Sequence, residues 1–121
     1  MVVAQNLFDK YGGFSAVRAI VYDLYQRIQG DSLIGDYFTN IQFSRIVDHQ
    51  TKFVSSVMGG PAAYTDDQLA RVHRHLPIDD TEFDRLMAIL AETLSDRGVS
   101  AEDAEMIVAR LEERRNLLVK A

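Results

Sequence analysis

Cysteine is absent from the 121 residues, which removes disulfide frameworks, thiolate metal sites and cysteine nucleophiles together. Proline occurs only at Pro61 and Pro77, and no stretch sustains the alternation of a half-buried strand, so helices are expected throughout. A surplus of positive charge is also missing. The formal net charge is -5 and no basic stripe appears, which argues against a nucleic-acid partner. No apolar run approaches a membrane span, and the opening "MVVAQNLFDK" lacks the apolar core of a signal peptide. A cytoplasmic protein without membrane attachment is the expectation.

What is present is ordinary globular material, 47% apolar and 26% charged. The length suits one domain over residues 1–121, burying roughly two-thirds of its surface. Charges are scattered along solvent faces, most densely in "RLEERR". Asn6 is placed to cap a short first helix that stops at Gly12-Gly13. Ser15 begins a second, with Val17, Ile20, Val21, Leu24 and Ile28 in a stripe, Tyr25 beside it and Gly30 at its end. The turn "GDYFTN" carries Tyr37 and Phe38. Ser44 opens a third helix that stops at Gly59-Gly60-Pro61. Thr65 begins a short helix to about residue 76, broken by Pro77. Thr81 starts a helix carrying Phe83, Leu86, Met87, Leu90 and Leu94, ended by Gly98. Ser100 starts the last, with Ile107, Val108, Leu111 and Leu118 inward. The fold class is all-α.

The third helix, "SRIVDHQTKFVSSVM", sets the functional question. Ile46, His49, Gln50, Phe53, Val54 and Val57 recur at the spacing of one helix face, while Arg45, Asp48, Thr51, Lys52 and Ser55 suit water. An imidazole and a carboxamide thus interrupt an apolar face, and burying either unpartnered costs about 1–3 kcal/mol. In "QLARVHRHL", His73 shares a face with Leu69, Val72 and Leu76, whereas His75 points away. One inward histidine reads most simply as a core residue satisfied by a backbone carbonyl. Two, together with Gln50 and Tyr25, fit that reading poorly.

Zinc lacks a third ligand, since His73 and His75 cannot converge and no carboxylate joins the inward faces. A hydrolytic triad lacks an inward serine paired with histidine and acid. No phosphate-binding glycine motif occurs. The set instead fits a flat, apolar cofactor with a metal centre, namely haem b. Haem requires an axial histidine, apolar walls and polar donors across the iron. His73 is the candidate for the first. Phe38, Phe53, Val54, Leu76, Ile78, Phe83, Leu86 and Leu90 are candidates for the walls, and Tyr25, His49 and Gln50 for the donors.

From Leu7 to Leu118 the chain resembles the group I truncated haemoglobins, the shortened two-over-two globins. "LFDKYGGFSAV" looks like the family's opening helix and first glycine pair. "VYDLYQRI" places Tyr25 at the distal tyrosine, and "DYF" places Phe38 at the aromatic packed on haem. The interval from Phe38 to Gln50 matches the distal glutamine. "MGGPAAYT" carries the second glycine pair, with Tyr64 at a tyrosine that commonly meets a haem propionate, and "VHRHLPI" matches the proximal motif with His73 as iron ligand.

The resemblance implies a two-over-two helical sandwich around haem that binds oxygen, carbon monoxide and nitric oxide. For some members it implies dioxygenation of nitric oxide to nitrate, served by an external reductase. Tyr25 and Gln50 would then act on the ligand. Ile46 stands where a conventional globin has its distal histidine. His49 is placed as in cyanobacterial members where this histidine ligates iron, making it a conditional distal ligand. The alternative for His49 is the rim, bonding a propionate or water. A protein with both histidines on iron would suit electron transfer instead. No histidine follows His75, so the covalent histidine–vinyl linkage of some relatives is not expected. Val54 takes the place of a phenylalanine that gates a ligand tunnel in others. A monomer or weak homodimer is expected.

Overall fold

The computed structural model describes residues 6–38, 42–61 and 78–119. Tyr64, His73, His75, Leu76, Pro77 and the helix expected from Thr65 lie outside the described residues, as does the side chain of Leu118. In chain order the helices are α1 (Leu7–Lys10), α2 (Gly13–Gln29), a 3-10 turn (Gly35–Phe38), α3 (Phe43–Val57), α4 (Asp80–Asp96), α5 (Ala101–Glu112) and α6 (Arg115–Leu118). Among the described residues no strand forms, only a parallel bridge between Ile78 and Val119, and no helix is long and apolar enough to cross a membrane.

Local chemistry sets most of the boundaries. The Asn6 side chain accepts from the Asp9 amide and caps α1, and Ser100 accepts from the Asp103 amide to cap α5. Gly98, at φ +85°, follows α4 in the left-handed conformation that glycine takes without strain. Other boundaries differ from the sequence reading. α2 begins at Gly13 rather than Ser15, because Gly12 at φ +110° already turns the chain. α3 begins at Phe43 behind Gln42, not at Ser44. α4 is capped by Asp79 rather than Thr81: Asp79 accepts from the Glu82 amide while Glu82 accepts from the Asp79 amide, a reciprocal box that Thr81 does not form. The last expected helix is two, broken at Glu113–Arg114.

Two helix pairs build the body: α2 packs on α3, α4 on α5, and the pairs meet where α2 lies on α4 and α3 on α5. Val17, Val21, Ile28, Phe83, Leu94 and Ile107 are fully enclosed between them. Ion pairs cross the outside of the α2–α4 contact. Arg27 holds Asp23 at 3.0 Å within α2 and Asp96 of α4 at 2.9 Å, and Arg97 returns to Asp23 at 3.2 Å. The Arg27 guanidinium, with Arg97 adding to it, keeps the Asp23 carboxyl below the usual carboxylate range.

The two glycine corners close against each other through α1. The Phe8 amide donates to the Met58 carbonyl at 3.0 Å, and the Asn6 carboxamide donates to Gly59 at 3.0 Å. A Cβ at Gly60 would come within 2.6 Å of the Phe8 ring and 3.0 Å of the Ser55 carbonyl. The absence of a side chain there is what admits Phe8.

Candidate functional site

Between the helix pairs lies a cavity of about 450 Å³, counting the space that opens to solvent. Leu24 and Tyr25 come from α2, Gln50, Phe53 and Val54 from α3, Leu86, Met87 and Leu90 from α4, and Leu111 from α5. Among the described residues the lining is apolar except for Tyr25 and Gln50, 6% and 5% exposed.

Each polar group is placed by its helix. Tyr25 follows Leu24 and falls one turn past Val21, so the inward stripe of α2 widens at that level to take in a phenol. Phe38, delivered by the 3-10 turn, meets the Tyr25 ring edge-on with centroids 5.6 Å apart. The turn is fixed to α2 because the Gln29 carboxamide donates to the Phe38 carbonyl at 3.1 Å. It is fixed to α4 because the Tyr37 hydroxyl donates to Glu82 Oε1 at 2.9 Å, a bond that raises the phenol above its ordinary pKa. Tyr25 and Phe38 therefore share a support that reaches the first turn of α4.

α3 presents a different arc from the one expected. Its buried residues include Val47, Gln50, Thr51, Phe53, Val54 and Ser55, so the arc is centred nearer Val54 than Ile46. Ile46 is half-buried and packs against the core. His49 is exposed, one edge outside the arc, and Thr51 and Ser55 lie inside it at the other edge. This corrects the inward reading of His49 and the outward reading of Thr51 and Ser55. The physical reason is that α3 buries flanks against both α2 and α5; the Thr51 hydroxyl is buried at little cost because it bonds its own helix, whereas Ser55 Oγ is buried without a hydrogen-bond partner among the described residues. Thr51 Oγ1 donates to the Val47 carbonyl at 2.6 Å.

Of the wall residues named from sequence, Phe53, Val54, Leu86 and Leu90 line the cavity. Phe38, Ile78 and Phe83 are buried but are not among its lining residues. Leu24, Met87 and Leu111 line it as well. They belong to inward stripes visible in the sequence, but only the crossing of the helices decides which part of a stripe faces the cavity. An apolar cavity with two buried hydrogen-bonding side chains in its lining suits an apolar group whose reactive centre needs donors.

Helices paired two over two around such a cavity define a globin of the shortened kind. The bacterial-like globin family matches residues 6–119, and the chain belongs to it. It is 30% identical over 106 residues to the group 1 truncated hemoglobin GlbN of Nostoc, covering 88% of this chain and 90% of that one. The crystal structure of truncated hemoglobin from Tetrahymena pyriformis in its Fe(III) form superposes with a TM-score of 0.86 at 25% identity, over 97% of this chain and 100% of that one. The 2/2 hemoglobin from Synechococcus, in the cyanomet state with covalently attached heme, gives 0.81 at 25% identity, covering 94% and 98%.

Proposed function

We propose that this chain binds haem b in the cavity between its helix pairs and holds oxygen and related diatomic gases there, with dioxygenation of nitric oxide to nitrate as its turnover reaction. The observation that carries the reading is the burial of Tyr25 and Gln50, from two adjacent helices, in a cavity whose other described lining residues are apolar. Haem, when bound, supplies the ferrous iron for the gas and the electron that nitrate formation consumes.

The residues of this chain do the rest. Tyr25 donates its O–H and Gln50 its N–H to a ligand atom carrying partial negative charge. The apolar lining keeps bulk water away and strengthens both bonds. Phe38 holds the Tyr25 ring from the side. His73 is assigned as the iron's protein ligand from the face it shares with Leu69, Val72 and Leu76 in the sequence, and Tyr64 as a partner of a propionate. An external reductase returns one electron after each turnover. Mixing the oxygenated ferrous protein with one equivalent of nitric oxide should yield one nitrate per haem; recovery of nitrite without nitrate would contradict the reaction.

The adjacency of His49 to the buried Gln50 leaves a second reading, an electron-transfer haem protein with both His49 and His73 on iron. Ligation by His49 would require α3 to carry its imidazole inward from its exposed position. A protein in that state exchanges electrons more readily than it captures gas, because ligand must first displace the histidine. A low-spin ferric spectrum that becomes high-spin in His49→Leu supports this reading. A high-spin spectrum in both assigns His49 to the rim.

A further inference from the structure

The chain between α2 and α3 is held from α4 by two side chains one turn apart. Arg85 donates from Nε to Asp31 Oδ1 at 2.8 Å, and Asp31 Oδ2 accepts from the Leu33 and Ile34 amides at 3.0 and 3.2 Å. Three positions earlier on the same face of α4, Glu82 Oε1 accepts from the Tyr37 hydroxyl at 2.9 Å. That oxygen also accepts from the Asp79 amide at 3.1 Å, so Tyr37 bonds a carboxylate already fixed by the cap of its own helix. From the other side, Gln29 of α2 donates to the Phe38 carbonyl at 3.1 Å.

The segment from Asp31 to Phe38 is thus tied to α4 near both ends and to α2 at its last residue. What it carries to the site is Phe38. This ring is 3% exposed and stands edge-on to Tyr25, at 71° between planes and 5.6 Å between centroids. Tyr25 in turn lines the cavity, whereas Tyr37 and Glu82 do not. In a close-packed interior one ring of such a pair cannot turn unless the other gives way. The route from Tyr37 to the cavity therefore runs through Phe38 and Tyr25.

We propose that Tyr37 is a positioning residue for the bound gas: its bond to Glu82 locks the turn that holds Phe38 against Tyr25, and so fixes the direction in which the Tyr25 hydroxyl donates. The inference rests on the haem reading above, with Tyr25 as a donor to the ligand. A hydrogen bond weakens steeply as its angle departs from linear. A donor aimed in advance needs no reorganisation when charge appears on the ligand. Without the strut the hydroxyl is still present, but it points over a wider range.

The test uses the haem-loaded full chain. The infrared C–O stretching band of the ferrous carbon monoxide complex reports hydrogen bonding to the ligand, and stopped-flow mixing gives the oxygen dissociation rate. Tyr25→Phe should move the band to higher frequency, that of a ligand with one donor fewer. Tyr37→Phe removes one O–H from a half-buried ring and should broaden or split the band toward that frequency. Oxygen should leave about threefold faster, well short of the effect of Tyr25→Phe. In the Tyr25→Phe background, Tyr37→Phe should change neither reading further, because no hydroxyl remains to be aimed; a general loosening would change both in either background. Arg97→Met, which breaks the Arg97–Asp23 pair beyond the other end of α4, serves as control and should match wild type. A Tyr37→Phe band and rate equal to wild type, an undiminished effect of Tyr37→Phe in the Tyr25→Phe background, or the same change in Arg97→Met overturns the strut alone. A Tyr25→Phe band identical to wild type overturns the donor reading itself, and the strut with it.

Discussion

Removing the Tyr25 hydroxyl while keeping its ring separates hydrogen bonding from packing. In Tyr25→Phe the edge-on contact with Phe38 survives, and only the donor is lost. A hydrogen bond to a charged acceptor contributes about 1.5–3 kcal/mol, so oxygen dissociation should accelerate roughly ten- to hundredfold. Gln50→Leu removes the second donor at nearly constant volume and should act in the same direction. Because both groups address one ligand, the double variant is expected to fall short of the product of the single effects. Stopped-flow dissociation rates check this, and unchanged rates in both single variants would remove the two residues from ligand binding.

At the scale of elements, the corners are more sensitive than the helices they join. Gly60→Ala places a methyl against the Phe8 ring and the Ser55 carbonyl, and backbone on one side cannot yield. A loss of about 1–3 kcal/mol in unfolding free energy is expected, typical of overpacking. Phe8→Ala also empties a core position, so the double variant should lose less than the sum of the two single losses, as chemical denaturation would show. Equal stability of Gly60→Ala and wild type would contradict the closed corner. These corners were legible in sequence because glycine pairs signal sharp turns, and the Asn6 and Ser100 caps because short polar side chains precede apolar stripes. The α4 cap was less legible, since Asp79, Asp80 and Thr81 are all competent and only the reciprocal bond with Glu82 selects one.

The arc of α3 was misplaced for a related reason. Apolar spacing marks the face of a helix that meets one neighbour, whereas α3 meets two and buries Thr51 and Ser55 on the second side. Tyr25 and Gln50 could be picked out because polar groups on apolar stripes stand apart. Leu24, Met87 and Leu111 could not, being apolar residues among others of their kind. Arg115 gave no signal at all in "RLEERR", where five charges look equally solvated; Glu112 stands three positions before it, but its partners Asp80 and Asp84 of α4 are brought to it only by the fold.

For the whole molecule, acid is the condition that should loosen the closure of the helix pairs. Asp103, buried at the start of α5, accepts from Lys10 at 2.6 Å and from the Tyr11 hydroxyl, joining the last helices to the α1–α2 corner. The Lys10 ammonium first, and the Tyr11 hydroxyl next, hold its carboxyl below the ordinary value. A carboxyl depressed in the folded state contributes stability that is fully present above its unfolded pKa, about 3.9, and is lost as pH falls through the folded value. Asp23, depressed chiefly by Arg27, and Asp31, depressed chiefly by Arg85, add in the same sense. Urea midpoints should therefore hold steady from neutral pH to about pH 5 and fall below about pH 4, with a shallower fall in Asp103→Asn. Parallel acid limbs for the two proteins would contradict the role of Asp103.

The central claim is that the cavity lined by Tyr25, Gln50 and the apolar faces of four helices holds a haem that binds gas. Its most direct test is the absorption spectrum of the haem-reconstituted protein, ferric and ferrous, before and after carbon monoxide. Stoichiometric haem uptake is expected, with a ferrous Soret band that moves to a new, sharp position under carbon monoxide in wild type and is lost or altered in His73→Ala. A protein that takes up no haem, or whose ferrous spectrum does not respond to carbon monoxide, would contradict it.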